Sequence, residues 1–110
     1  MNDQYLNFIR EHGVDLEKAL GVKEWALSRN DALTAIGILR DGHEAVLGGD
    51  VIFEREGRLR YTHDNWHSDP GENEPTAQYI ERSLAEAEGY IRKYPETNEG
   101  KYYYVIVSGI

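Results

Sequence analysis

Apolar and polar residues alternate through the middle of the chain, and this pattern predicts a β-hairpin over Ala45–Trp66. The pair Glu56-Gly57 suits the tight turn, because Gly57 can adopt a positive φ. Two consecutive glycines, Gly48 and Gly49, interrupt the first arm, which indicates a bulge or a close approach of another backbone. Leu47 is expected on the same face as Val51 and Phe53. The side chains expected to face the helices are Val51, Phe53, Leu59 and Tyr61.

Three other stretches carry apolar residues at helical spacing. Asn2–His12 predicts an N-terminal helix, and Asp31–Arg40 predicts a second helix that is capped by Ser28 or Asn30. A third, longer helix is expected over Pro75–Tyr94, because proline suits the first helical position. Its apolar stripe predicts a buried side formed by Ala77, Ile80, Leu84, Ala87 and Ile91.

Two further strands complete the predicted order of elements. Glu24–Ser28 is a short strand candidate, and Tyr102–Ser108 is apolar on both faces, which places it in the centre of a sheet or under cover on both sides. The order predicts an α+β fold: a two-layer sandwich with a four-stranded, mainly antiparallel sheet, helices on one face and an added N-terminal helix. A ferredoxin-like strand order is compatible with it. The length of 110 residues predicts a single domain, 1–110.

Composition narrows the class of protein. Apolar residues make up 40% and charged residues 29%, as in globular proteins, and the absence of cysteine excludes disulfides and cysteine-based zinc sites. No apolar run is long enough to span a bilayer, and the start of the chain, Met1-Asn2-Asp3-Gln4, does not resemble a secretory signal. We therefore expect a cytoplasmic protein without a membrane partner.

The chain is acidic, with a net charge of −8 from 20 acidic and 12 basic residues. This balance argues against a nucleic-acid partner, because neutralising phosphate requires lysine and arginine on the surface. It suits binding to a basic protein, such as a nuclease toxin. It also suits a protein that only avoids self-association, and an acidic surface is common in cytoplasmic bacterial proteins; the charge alone favours this plain interpretation over a basic partner.

Two groups of polar residues are candidates for sites of chemistry. His63, Asp64, His67 and Asp69 offer metal-binding side chains, but histidines four residues apart suit one helix face, not a strand end and its loop. Asp50 and Asp64 lie on opposite arms of the hairpin and could form an acid–base pair. No nucleophile, ligand set or phosphate-binding loop accompanies them. We expect no catalytic residue, no metal and no cofactor, and hence no enzyme.

Asn65 and Trp66 end the second arm and have two interpretations. Tryptophan is enriched at binding hot spots, because it buries a large area with little loss of entropy. It is also common at the partly buried edge of a core. The residue types alone leave both interpretations open.

Two motifs of this chain resemble the immunity protein 40 family of bacterial polymorphic toxin systems. They are Leu-Gly-Gly-Asp-Val at Leu47–Val51 and Asp-Asn-Trp at Asp64–Trp66. Further matches are Glu24–Leu27, which leads into Asn30–Leu33, and the strand-like end at Tyr103–Ser108. Members of this family are small single-domain proteins encoded beside a secreted toxin domain. The resemblance implies a protein that binds this toxin and blocks it.

We therefore predict a non-enzymatic immunity protein that neutralises a cognate toxin domain by occlusion, as a monomer or weak homodimer. One alternative is a metal-assisted hydrolase that uses His63, Asp64 and His67. Another is a structural domain that self-associates through the tyrosine-rich last strand. The residues predicted to bind the toxin are Asp50, Asp64, Asn65, Trp66, Asp69 and Glu72.

Overall fold

The computed structural model describes residues 2–109, which form four helices and five strands. The helices are α1 (Asp3–His12), α2 (Glu17–Leu20), α3 (Arg29–Asp41) and α4 (Thr76–Lys93). The strands are β1 (Val14–Asp15), β2 (Trp25–Leu27), β3 (Ala45–Arg55), β4 (Arg58–His67) and β5 (Lys101–Gly109).

The strands form one antiparallel sheet in the order β1-β2-β5-β3-β4. The predicted α+β class is confirmed, and β5 lies in the interior of the sheet, as its two apolar faces indicate. A regular ferredoxin-like order would place the last strand at an edge, so this topology is a different one. The sheet has five strands and not four, because β1 adds a two-residue pairing, Val14 with Ala26 and Asp15 with Trp25, that is too short to leave a periodic signal.

Helices α1, α3 and α4 pack on one face of the sheet around the larger core. Helix α3 begins after Ser28, whose Oγ accepts a hydrogen bond from the Asp31 backbone N–H at 3.3 Å. In α4 the buried side starts two residues later than predicted: Ala77 is exposed and Ile80 is half-buried, whereas Tyr79 and Ser83 are buried. Ser83 is buried because its Oγ accepts a hydrogen bond from the Val46 N–H at 3.0 Å. None of the helices in residues 2–109 has the length and apolar character needed to cross a membrane.

The segment β1–α2 covers part of the other face of the sheet. Leu16, just before α2, is completely buried against Ala26, Ile52 and Val105. The turn is fixed by Asp15, whose carboxylate accepts a hydrogen bond from the Glu17 backbone N–H at 2.9 Å. The sheet therefore buries apolar side chains on both faces at this end, although the longer helices lie on one face only.

The register of the β3–β4 hairpin corrects one of the predicted faces. Glu56 and Gly57 have φ values of 54° and 78°, as a two-residue turn of this kind requires. Such a turn pairs Phe53 with Arg60, and Phe53 is buried as expected. The prediction that Leu59 and Tyr61 also face the helices is wrong. They share the face of Ile52 and pack against the smaller core, because neighbours of Arg60 point to the opposite side.

Strand β3 is irregular at two places. Its pairing with β5 shifts register between Val46 and Gly48, so Leu47 does not lie on the core face and is 38% exposed, contrary to expectation. Its pairing with β4 shifts between Asp50 and Ile52, where residues 62–64 of β4 lie opposite Val51. His63, in the middle of this bulge, has a left-handed φ of 72°. The bulge turns the end of β4 towards α4.

Candidate functional site

The two glycines of β3 lie directly opposite the end of the Asp-Asn-Trp motif in β4. Gly49 pairs with Trp66 and Gly48 with His67. A Cβ at Gly49 would collide with the Trp66 indole and with the Val105 carbonyl oxygen, and a Cβ at Gly48 would collide with the Trp66 carbonyl oxygen. Glycine is therefore required for close approach at both positions. The Gly-Gly-Asp and Asp-Asn-Trp motifs are parts of one structural unit.

Trp66 lies between these two glycines and α4. Its indole stacks on the Tyr90 ring, with centroids 4.7 Å apart and an interplanar angle of 29°, and packs against the larger core. The residue is half-buried. Its Nε1–H is buried and has no hydrogen-bond partner within residues 2–109. An unmet donor of this kind costs about 1–3 kcal/mol, which the packing of the ring has to offset.

Asp50 and Asp64 point to different sides of the sheet. Asp50 pairs with Asn65 and alternates with Gly49 and Val51, so it lies on the face away from α4. Asp64 accepts a hydrogen bond from the Tyr94 hydroxyl at 2.6 Å, at the end of α4. Burial and this hydrogen bond raise the pKa of Tyr94 to about 12. The two carboxylates are not brought together as an acid–base pair.

The histidines near these aspartates do not form a ligand set. His67 and Asp69 approach to 3.8 Å, and both side chains are exposed. His63 occupies the β4 bulge. Across residues 2–109, no three side chains of histidine, cysteine, aspartate or glutamate lie close enough together to hold a metal ion. The geometry gives no support to the hydrolase alternative at this place.

Asp69 and Glu72 lie on the loop between β4 and α4, and Arg82 holds this loop. The Arg82 guanidinium donates to both carboxylate oxygens of Glu74, at 2.8 and 2.9 Å, and to the Asp69 carbonyl oxygen at 2.7 Å. It also forms an ion pair with Glu86 at 3.1 Å. The loop is thus fixed from α4, while the side chains of Asp69 and Glu72 remain exposed.

The pKa values of the carboxylates around Arg82 are lowered by hydrogen bonds. The pKa of Glu74 is lowered to about 2, mainly by Arg82 and also by the Gly71 backbone N–H, which donates to it at 2.8 Å. The pKa of Glu86 is lowered as well, mainly by the hydrogen bond from the Ser68 hydroxyl. The loop is therefore stabilised by charged forms of its carboxylates.

A row of aromatic rings runs beside these residues, and sequence reasoning missed it. From Trp66 it continues through Tyr90, Tyr94 and Tyr102 to Phe53, with successive centroids 4.7, 6.0, 5.8 and 4.9 Å apart. Tyr90 on α4 and Tyr94, directly after its last residue, are four residues apart, and this spacing is the signal that could have revealed one aromatic side of the helix. At the Phe53 end, the row lines an open cleft of about 490 Å³.

The fold and this site define a small α+β domain whose polar motifs join two strands to one helix, with no assembled ligand set in the described part. The sequence pattern described as immunity protein 40 matches residues 15–108, and the chain belongs to this family. The match confirms the resemblance inferred from the glycine and Asp-Asn-Trp motifs. No curated protein and no solved structure matches the chain.

Proposed function

We propose that this chain is a non-enzymatic immunity protein that binds the toxin domain encoded beside it and neutralises that toxin by occlusion. The observation that carries the proposal is membership of the immunity protein 40 family over residues 15–108. The proposed site of action is the cytoplasm, and the proposed state is a monomer or weak homodimer. Blocking needs only a stable complex that covers the toxin's active site or its path to the substrate.

The distribution of charge supports a basic partner. Three arginines, Arg29, Arg40 and Arg82, form ion pairs with five glutamates. Within residues 2–109, none of the four carboxylates that we propose as toxin contacts has a lysine or arginine at ion-pair distance. Such carboxylates are available to steer and hold a basic surface. They are Asp50, Asp64, Asp69 and Glu72.

Trp66 and Asn65 are the proposed centre of this contact surface. Asn65 is exposed, and Trp66 is half-buried with its ring fixed by Tyr90 on one side and Gly49 beneath it. A side chain held in one orientation loses little entropy on binding. Arg82 supports the surface in the same way, because it fixes the loop that carries Asp69 and Glu72.

The test is titration of the purified toxin domain with this chain while the toxin's activity is measured. We expect activity to fall to zero at about one chain per toxin, with a complex of the two visible by size-exclusion chromatography. Toxin that remains fully active in excess chain would sink the proposal. The chain alone should show no effect on the toxin's substrate.

Variants separate a contact role from a structural role. Asp69→Asn should slow association, because it removes a charge from the rim, whereas Asp41→Asn on the far end of α3 should not. Trp66→Ala should cost ~2 kcal/mol or more of binding if Trp66 is an anchor. Its melting temperature must be measured beside the affinity. Lost stability with unchanged affinity in the folded fraction would show that Trp66 only supports the fold.

A further inference from the structure

The open cleft at the end of the aromatic row is built by two parts of the molecule. Phe53 and Tyr102 come from neighbouring strands, with ring centroids 4.9 Å apart, and Tyr94 at the end of α4 forms the other wall, 5.8 Å from Tyr102. Its volume of about 490 Å³ can hold a large side chain. The mouth is formed by the β4 bulge, where His63 holds its left-handed backbone conformation.

The chemistry of the cleft suits a cation. Ring faces attract cations, and carboxylates beside them add to the attraction. Glu99 lines the cleft and is exposed, and Asp64 reaches its wall through the hydrogen bond from the Tyr94 hydroxyl. Neither carboxylate has a lysine or arginine at ion-pair distance in the described chain. These two charges are therefore not neutralised by an ion pair, although Arg60 also lines the cleft.

One wall of the cleft already makes a contact between a cation and an aromatic ring. The Arg60 guanidinium lies over the Phe53 ring, 5.4 Å from its centroid. Arg60 is exposed and forms no ion pair with any carboxylate of residues 2–109, so the ring is its defining contact. The aromatic wall thus accepts a guanidinium in this geometry, while Tyr94 and Tyr102 offer further ring surface.

We propose that this cleft receives a cationic side chain, arginine or lysine, from the toxin domain. The proposal rests on the proposed function, since the toxin is the partner that supplies the cation. The cleft continues the proposed contact surface through Asp64, which is hydrogen-bonded to one wall of the cleft. The partner would therefore contact both the aromatic cleft and the acidic residues of β4.

The experiment measures the affinity of an inactivated toxin domain for four variants of the chain. Tyr102→Leu removes a ring wall and should weaken binding by about 3- to 30-fold, the range typical of a cation–aromatic contact. Glu99→Gln should weaken binding by about 3-fold, and less at high salt, because the contact is electrostatic. Arg60→Gln removes a like charge and should leave binding unchanged or make it tighter. Asp41→Asn, remote from the cleft, is the matched control.

The outcomes separate the two proposals. If the wild-type chain forms no complex, the proposed function fails and this inference fails with it. If the complex forms but Tyr102→Leu and Glu99→Gln bind like wild type, only the cleft assignment is overturned. Weaker binding by Arg60→Gln, with tighter binding by Glu99→Gln, would mean an anionic occupant and would also overturn it.

A double-mutant cycle identifies the cation itself. Each exposed arginine and lysine of the toxin domain is changed to alanine and combined with Tyr102→Leu. We expect one toxin residue whose loss has an effect about 3-fold or more smaller in the Tyr102→Leu background. If no basic residue of the toxin shows this coupling, the cleft does not hold a cation. Glu99→Gln keeps the test valid if Tyr102→Leu lowers the melting temperature.

Discussion

At the scale of single residues, the contact between Gly49 and Trp66 explains why two motifs occur together. The indole occupies the space that any Cβ at position 49 would need, and its other side stacks on Tyr90. The glycine signal was visible in the sequence, because glycine weakens a strand unless something approaches closely. The identity of the approaching group was not visible, since Trp66 is brought there by the register of β4.

Replacing Gly49 by alanine should destabilise the fold by about 1–3 kcal/mol, because the added methyl overpacks a site bounded by backbone and an aromatic ring. Gly89→Ala in α4 is the matched control. Its Cβ would meet nothing within 4 Å, so it should stabilise the helix by up to about 1 kcal/mol. Urea unfolding of both variants makes the comparison, and equal effects would show that Gly49 has no packing role.

At the scale of elements, arginines join helices to the segments that surround them. Arg29, at the start of α3, donates to the carbonyl oxygens of Ile91 and Tyr94 where α4 ends. The Tyr94 oxygen also accepts a hydrogen bond from the Glu96 backbone N–H at 2.9 Å. Glu96 pairs with Arg29 at 3.5 Å and accepts a hydrogen bond from the buried Tyr104 at 2.7 Å. One guanidinium therefore ties α3, α4 and the approach to β5 together.

Arg29→Lys should destabilise the protein by about 1–3 kcal/mol, because an ammonium cannot reproduce the forked donation to two carbonyl oxygens. Arg92→Lys, on the exposed last turn of α4, should change stability by less than about 0.5 kcal/mol. Thermal unfolding of the two variants distinguishes the roles. Similar melting temperatures would contradict the capping role of Arg29.

The loop between β4 and α4 gives the protein a defined acid sensitivity. The folded-state pKa of Glu74 is depressed from 4.5 to about 2, so the unfolded state binds more protons between these values. This contribution to stability is fully present above pH 4.5 and is lost as the pH falls towards 2. We expect unfolding curves of the wild type to show this loss and those of Glu74→Gln to show less of it. Glu72→Gln, on the same loop without an Arg82 contact, should behave like wild type.

The elements themselves were largely predictable, whereas their faces were not. The hairpin, the turn at Gly57 and the interior position of β5 follow from alternation, glycine and apolar content. The predicted face of Leu59 and Tyr61 is wrong, because an apolar alternation does not say which of two cores it joins. The second core exists because Leu16 covers Ile52, a contact between residues far apart in sequence that no local pattern encodes.

At the scale of the whole molecule, the net charge of −8 includes carboxylates held in ion pairs that only the structure reveals. The ion pairs of Arg29, Arg40 and Arg82 occupy five glutamates that join the helices and loops. Carboxylates along β4 and the following loop are outside these pairs. The sequence predicted the acidic character and the family, but the arginine pairings depend on tertiary contacts. The polar side chains of the candidate site remain a prediction from the sequence, and the aromatic row beside them was not predicted.

Hydrogen exchange of the chain, alone and in complex with the inactivated toxin domain, tests most directly whether β4 and its flanking loop contact the toxin. We expect slower exchange in the complex over residues 60–72 and around Glu99–Tyr102, with little change in the exposed parts of α1 and α3. Protection confined to α1 and α3, with β4 and its loop exchanging as in the free chain, would contradict the proposed surface.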